Sequence, residues 1–163
     1  EKISMKKPPM NHFVNIEQLI EYQDLKKARI ITNKGSFKIL LDQKFCPATV
    51  ANFIELSQRG FYDSIRFHRV ENNFVVQGGC PRGDGWGSSG ESIRSEFAPK
   101  FYQTGSVGMA SAGKDTESCQ WFVTHYPSIH LDGAYTNFAK VIEGMDVVNE
   151  IEVGDTIFSV RID

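Results

Sequence analysis

The sequence predicts a mainly-β fold in one domain, and three features carry the prediction. Strand-forming residues fall in many short runs, helical patterns are few and brief, and Gly, Asn and Asp punctuate the intervals. Short strands without the regular strand and long-helix alternation of a parallel sheet indicate an antiparallel barrel or sandwich. The 163 residues, 40% hydrophobic and 23% charged, suffice for one sizeable core and are short for two.

Residues 1–14, with Lys6-Lys7-Pro8-Pro9, read as a tail, because consecutive prolines withhold the backbone donors that helix and sheet need. Residues 15–27 predict a helical extension: Asn15 can cap it, Gln18 falls at the third helical position, and Ile16, Leu19, Ile20, Gln23 and Leu25 share one side. That face is expected to pack on the body of the molecule, residues 28–163. The sheet opens with two β-rich runs from Ala28 joined through Asn33-Lys34-Gly35, where Gly35 can take the positive φ of a tight turn. A helix follows from Pro47, with Val50, Phe53, Ile54 and Ser57 on one face and Gly60 as its stop. Further strands are expected over 66–70, 74–78, 105–109, 120–124, 136–142 and 156–162, with a second body helix over 144–151.

Composition removes several function classes. A formal net charge of -2, with no basic block beyond two lysine pairs, offers no stripe for a phosphate backbone, so no nucleic-acid partner is expected. No run approaches the roughly 18 apolar residues of a membrane span, and the first ten residues lack the apolar stretch of a secretory signal. Cys46, Cys80 and Cys119 have no CxxC spacing and read as unpaired small hydrophobes. The four histidines show no HExxH pattern, so neither a metal nor a cofactor is expected. The glycine-rich run GCPRGDGWGSSG, residues 79–90, lacks the Gly-Lys-Ser/Thr ending of a phosphate loop and reads as a plain long connection. No GxSxG elbow occurs, and Ser128, His130 and Asp132 are too close in sequence to converge as a hydrolytic triad.

Three spaced segments point further. They are Phe67-His68-Arg69-Val70 with Phe74-Val75-Val76-Gln77-Gly78-Gly79; GSVGMASAG from Gly105; and SCQWFV from Ser118, followed by His130-Leu131-Asp132-Gly133 and Phe138. In order and spacing, from about Ala28 to Ile162, they resemble the cyclophilin-type peptidyl-prolyl cis/trans isomerases. The resemblance implies an eight-stranded antiparallel closed barrel capped by two helices, with the N-terminal helix as an addition. It implies non-covalent rotation of X-Pro bonds, with Arg69, Gln77 and Phe74 catalytic and Arg69 lying over the substrate proline. It places Phe74, Val75, Phe122 and Leu131 around the proline ring, and the backbone of Ala110 and Ser111 along an extended peptide. Gln77 and Gln120 would orient the substrate carbonyl and Arg69, with His130 and Tyr135 at the groove edge. Strand alternation puts Phe67 and Arg69 on one face and His68 on the other, and sets Trp121 opposite Gln120 and Phe122. His68 and Trp121 therefore read as structural.

The sequence also departs from the commonest family pattern. Val75 stands where methionine is frequent, Ser111 for asparagine, Tyr135 for histidine, His130 for tryptophan and Ala139 for glycine. Tyr135 and the His130-Leu131-Asp132-Gly133 segment, with the short Gly60-Phe61-Tyr62-Asp63 connection, are similar to bacterial members. Expected partners are proline-containing peptides and folding proteins, with weak binding of cyclosporin-type macrocycles, and the chain is expected to be a monomer. Because it begins at Glu1 rather than Met, the compartment, bacterial cytoplasm or cell envelope, is left to residues upstream. The competing reading is a proline-peptide binding or scaffolding domain of a larger protein with little turnover.

Overall fold

In the computed structural model, which describes residues 15–163, alternation of side chains sets the sheet. Strand β1 (Lys27–Thr32) reads exposed, buried, half-buried, buried in turn, and β2 (Gly35–Leu41) does the same, so each presents one face to the core. Gly35, at φ 123°, opens β2 directly after the turn residues Asn33 and Lys34. The remaining strands are β3 (Arg69–Glu71), β4 (Val75–Gly78), β5 (Ser106–Met109), β6 (Trp121–Thr124), β7 (Asn137–Glu143) and β8 (Ile157–Ile162). They form one antiparallel sheet in the order β3-β4-β6-β5-β7-β2-β1-β8.

The closed barrel expected from the sequence is corrected to an open one, with β3 and β8 as its edges. The predicted strand over 66–70 forms only from Arg69, so among the described residues no ladder spans the gap. A single bridge, Arg66 with Thr156, draws the two edges together, flanked by bonds from Phe67 N to Asp155 O and from Ile157 N to Ile65 O, both 2.8 Å. Phe74 likewise falls outside β4. It closes a turn in which its N–H donates to Glu71 O at 3.0 Å, with Asn73 at φ 61°.

Helices α1 (Ile16–Tyr22), α2 (Pro47–Gln58) and α3 (Met145–Glu150) flank the sheet. Helix α1 starts as expected, Asn15 Oδ1 accepting from Gln18 N at 3.3 Å, but ends at Tyr22 instead of reaching 27. Gln43 Nε2 donates to the carbonyls of Tyr22 and Leu25, both at 2.8 Å, and so satisfies the terminus there. The predicted apolar face is corrected at Ile16, Ile20 and Gln23 and holds at Leu19 and Leu25. Ile16 and Ile20 are 68% and 61% exposed, and the residues facing the core are Leu19, Tyr22 and Leu25. One short helix can press only a narrow line of side chains against its support.

Helix α2 has Pro47 at its first position and no cap from Cys46. The Glu96 carboxylate takes over the cap, accepting from Ala48 N at 3.2 Å and from Thr49 N and Oγ1, each at 2.6 Å. A negative charge at a helix N-terminus also complements the macrodipole. The helix then buries Val50, Phe53 and Ile54 against the sheet. Trp121 fills the centre, with its ring edge-on to Phe53, Tyr62 and Phe67 at 6.4, 6.4 and 6.0 Å. All three cysteines are buried and unpaired.

Candidate active site

The site is built on one rung of the sheet. Arg69 on β3 pairs with Gln77 on β4, Gln77 pairs with Phe122 on β6, and Phe122 pairs with Gly108 on β5. Residues directly opposed across antiparallel strands project to the same face, so a cation, an amide, an aromatic ring and a gap stand in a row. The gap is necessary: a Cβ on Gly108 would run into Tyr102 Oη and Phe122 Cζ. Its absence lets the Phe122 ring lie low over the sheet. Tyr102 stacks on that ring at 5.8 Å, and Tyr135 meets it edge-on at 5.9 Å.

These contacts form an apolar cluster separate from the main core. Val75, Tyr102, Phe122 and Leu131 are its buried members, with Phe74, Ala110 and Tyr135 packed against them. Above it opens a cavity of about 390 Å³. All of the predicted site residues except Gln120 line this cavity: Val75, Phe122 and Leu131 are buried, Phe74, Gln77, Ala110, Ser111 and Tyr135 half-buried, and Arg69 and His130 exposed at its edge. His130 sits on a 3-10 turn (Ile129–Leu131) with its ring 5.3 Å from that of Phe74. Ser128 donates to Tyr126 O at 3.0 Å and Asp132 accepts from Tyr102 N at 2.7 Å, so neither serves His130.

The Arg69 guanidinium is held on three sides. Its Nε and Nη2 both donate to Glu71 Oε1, at 3.0 and 2.6 Å, its Nη1 donates to Gln77 Oε1 at 3.2 Å, and its Cζ lies 5.9 Å from the Phe74 ring centre. Gln77 is fixed in turn, because its Nε2 donates to Gln120 Oε1 at 3.2 Å. Gln120 Nε2 donates to the carbonyls of Gly85 and Gly87, at 2.8 and 2.9 Å. Since only the amide nitrogen can donate to carbonyls, the two glycines set the orientation of Gln120, hence of Gln77, and present an oxygen to Arg69. Gln120 therefore stands behind the groove instead of in it. The run 79–90, read from sequence as a plain connection, is the anchor of this chain of bonds, and Asp84 Oδ1 braces it by accepting from Trp86 N at 2.9 Å.

Two histidines lie beside the site without entering it. His68, whose ring lies beside Gly85, has its pKa held down, first by burial and then by the Arg69 charge, with Asp84 opposing. The expected shared face of Phe67 and Arg69 is corrected, because β3 begins only at Arg69 and Phe67 turns into the main core against Trp121. His125, whose backbone N–H donates to Phe74 O at 2.8 Å, is 8% exposed, and among the described residues neither of its ring nitrogens has a hydrogen-bond partner. Burial lowers its pKa, with the Glu71 backbone opposing. A second cleft of about 450 Å³, between 61–66 and 80–83, holds Arg66 and Arg82 but none of the residues that line the first. Sequence reasoning missed Glu71, Tyr102 and the carbonyls of Gly85 and Gly87. Glu71 alone offered a signal, a carboxylate two residues from Arg69 on the same strand face.

An antiparallel sheet carrying an apolar cup edged by a fixed cation defines the class: a β-sheet protein with a lined groove on one face. Residues 27–162 match the family model of the cyclophilin type peptidyl-prolyl cis-trans isomerases, and the chain belongs to that family. A peptidyl-prolyl cis-trans isomerase of Helicobacter pylori is 44% identical over 137 residues, covering 82% of this chain and 84% of the relative. Peptidyl-prolyl cis-trans isomerase B of Bacillus subtilis is 44% identical over 133 residues, covering 80% and 92%. Among solved structures, a Cryptosporidium parvum cyclophilin-type isomerase, crystallised in the presence of the dipeptide Ala-Pro, superposes with a TM-score of 0.80 at 31% identity, covering 85% of this chain and 99% of that one. Among the described residues no helix is long and apolar enough to cross a membrane.

Proposed function

We propose that this chain catalyses cis/trans rotation of X-Pro bonds in peptides and folding proteins, with residues 28–163 as the isomerase domain and Arg69 as the group that stabilises the transition state. The observation that carries the reading is the held guanidinium at the mouth of the apolar cup. The reaction is slow unaided, with a barrier of roughly 18–20 kcal/mol, because resonance gives the C–N bond partial double-bond character. Midway through rotation the resonance is lost and the nitrogen acquires a lone pair. A fixed N–H donor bonds that nitrogen in the twisted state and not in the planar one, which is the differential binding that catalysis requires.

Phe122, Val75 and Leu131 hold the proline ring, Ala110 and Ser111 offer backbone to the substrate, and Gln77 steadies Arg69. An acceleration of about 10⁵ needs about 7 kcal/mol. One charge-assisted hydrogen bond contributes roughly 1.5–3 kcal/mol, so holding the substrate twisted in a dry cup supplies the remainder. Monomeric action and weak affinity for cyclosporin-type macrocycles belong to the same reading. The experiment is a tetrapeptide isomerisation assay. The wild-type chain turns over, and Arg69→Ala loses about ten- to a hundredfold in kcat with its melting temperature preserved. A wild-type chain that binds the peptide without accelerating rotation overturns the reading.

A further inference from the structure

We propose that Glu71 is a positioning residue for Arg69, a role that rests on the reading of Arg69 given above. Both residues stand on β3, and their spacing of two places them on the same face of a three-residue edge strand. One oxygen, Oε1, accepts from both Nε and Nη2 of the arginine, at 3.0 and 2.6 Å. Gln77 holds Nη1 from the other side at 3.2 Å. A guanidinium carries five N–H bonds in a rigid plane. With three of them committed to Glu71 and Gln77, the two that remain lie one on each Nη.

Holding Nε matters most for geometry. An arginine gripped only at one Nη can still swing about its Cδ–Nε bond, and a donor that must find the twisted nitrogen gains most from being fixed beforehand. Glu71 supplies the second grip, and its charge is opposite to that of Arg69, so the rim of the cup carries a compensated pair in place of a lone cation. Among the described residues Glu71 Oε2 takes no hydrogen bond, and the side chain is 51% exposed. A structural contribution to the fold is therefore small.

The test compares Glu71→Ala and Glu71→Gln with the wild type and with Arg69→Ala, reading kcat and KM on a tetrapeptide, the melting temperature, and the ¹⁵Nε–H signal of Arg69. We expect Glu71→Ala to lose about tenfold in kcat, with KM within about twofold, an unchanged melting temperature and an Arg69 Nε–H signal broadened by exchange with water. Glu71→Gln keeps an acceptor at the same reach and recovers most of the kcat and the signal. Normal kcat in Glu71→Ala alongside a disabled Arg69→Ala overturns the role of Glu71 and leaves that of Arg69 intact. A wild type without turnover overturns the reading of Arg69 itself. A loss in Glu71→Ala that tracks a fall in melting temperature, with no recovery in Glu71→Gln, makes Glu71 a structural residue and also overturns the proposal.

Discussion

Gln77 and Gln120 are joined amide to amide, Nε2 of the first donating to Oε1 of the second at 3.2 Å, and the two share the burden of holding Arg69. Neither amide could adopt its other orientation without setting like atoms against each other. The side chain that meets the groove is thus governed by one that does not line it.

Removing the hidden member exposes this dependence. Gln120→Leu cuts Gln77 from the carbonyls of Gly85 and Gly87 and is expected to lower kcat about tenfold, roughly the weight of one or two polar hydrogen bonds. The proline cup is untouched, so KM changes little. Steady-state isomerisation of a tetrapeptide checks it; a kcat equal to the wild type would show that Gln77 holds its orientation unaided.

Gly108 governs the depth of the cup. Gly108→Ala puts a methyl group where Tyr102 Oη and Phe122 Cζ already lie. Overpacking of this kind costs about 1–3 kcal/mol, a fall of several degrees in melting temperature for a chain of this size. Peptide affinity falls with it, because Phe122 is pushed up into the space that the proline ring takes. Calorimetric titration with a proline peptide, beside a thermal melt, separates the two effects.

Stability and turnover respond differently to acid. His68 and His125 have folded-state pKa values below the unfolded one, so the folded chain favours their neutral forms. The stability this contributes is present above the unfolded pKa of about 6.5 and is lost as pH falls through the lower folded values. Melting temperature is expected to decline below about pH 6.5, and His125→Phe to flatten that decline. Catalysis transfers no proton in this mechanism, so kcat is expected to stay nearly level from about pH 7 to 9. A bell-shaped kcat profile inside that range would rule the mechanism out.

Truncation distinguishes the two ends of the N-terminal extension. Deleting residues before Asn15 is expected to leave activity and melting temperature unchanged. Deleting through Lys26 removes Tyr22, 7% exposed, together with the half-buried Leu19 and Leu25. At about 1.5–3 kcal/mol for each large apolar side chain fully withdrawn from water, the melting temperature drops by several degrees while the groove persists. Thermal melts of the two deletions, with activity measured well below the transition, check both statements.

His130 sets the response to macrocycles. Its imidazole stands beside Phe74 at the side of the groove, where tryptophan would offer a broader apolar wall and an N–H donor. His130→Trp is expected to tighten cyclosporin binding while short-peptide turnover changes modestly. A fluorescence titration of both proteins reads it directly, and equal affinities would remove His130 from the contact.

Much of this architecture is legible in the sequence because side chains announce it. The alternation in 27–41 gives the first hairpin, Pro47 marks the start of α2, and the residues of the cup are apolar or aromatic at strand spacing. What escaped reading is carried by atoms without a side-chain signature or by packing direction. The carbonyls of Gly85 and Gly87 belong to a loop whose letters say only that it bends. Ile16 and Ile20 satisfy a helical stripe as well as Leu19 and Tyr22 do, and only the position of Gln43 and Glu55 across the gap decides which face turns inward. The open edge was hidden for a similar reason, since the shortness of β3 depends on how 64–67 meets 154–157.

Helix α2 borrows its cap from a residue 47 positions further along the chain. While the protein is being made, the helix leaves the ribosome with its first amides bare, and the carboxylate that answers them is still untranslated. The segment can flicker into helical form early, but it locks only once the connection beyond β4 has returned to its end. Synthesis order and assembly order therefore diverge here, and a nascent chain halted before Glu96 holds a helix that is spelled out but not yet fastened.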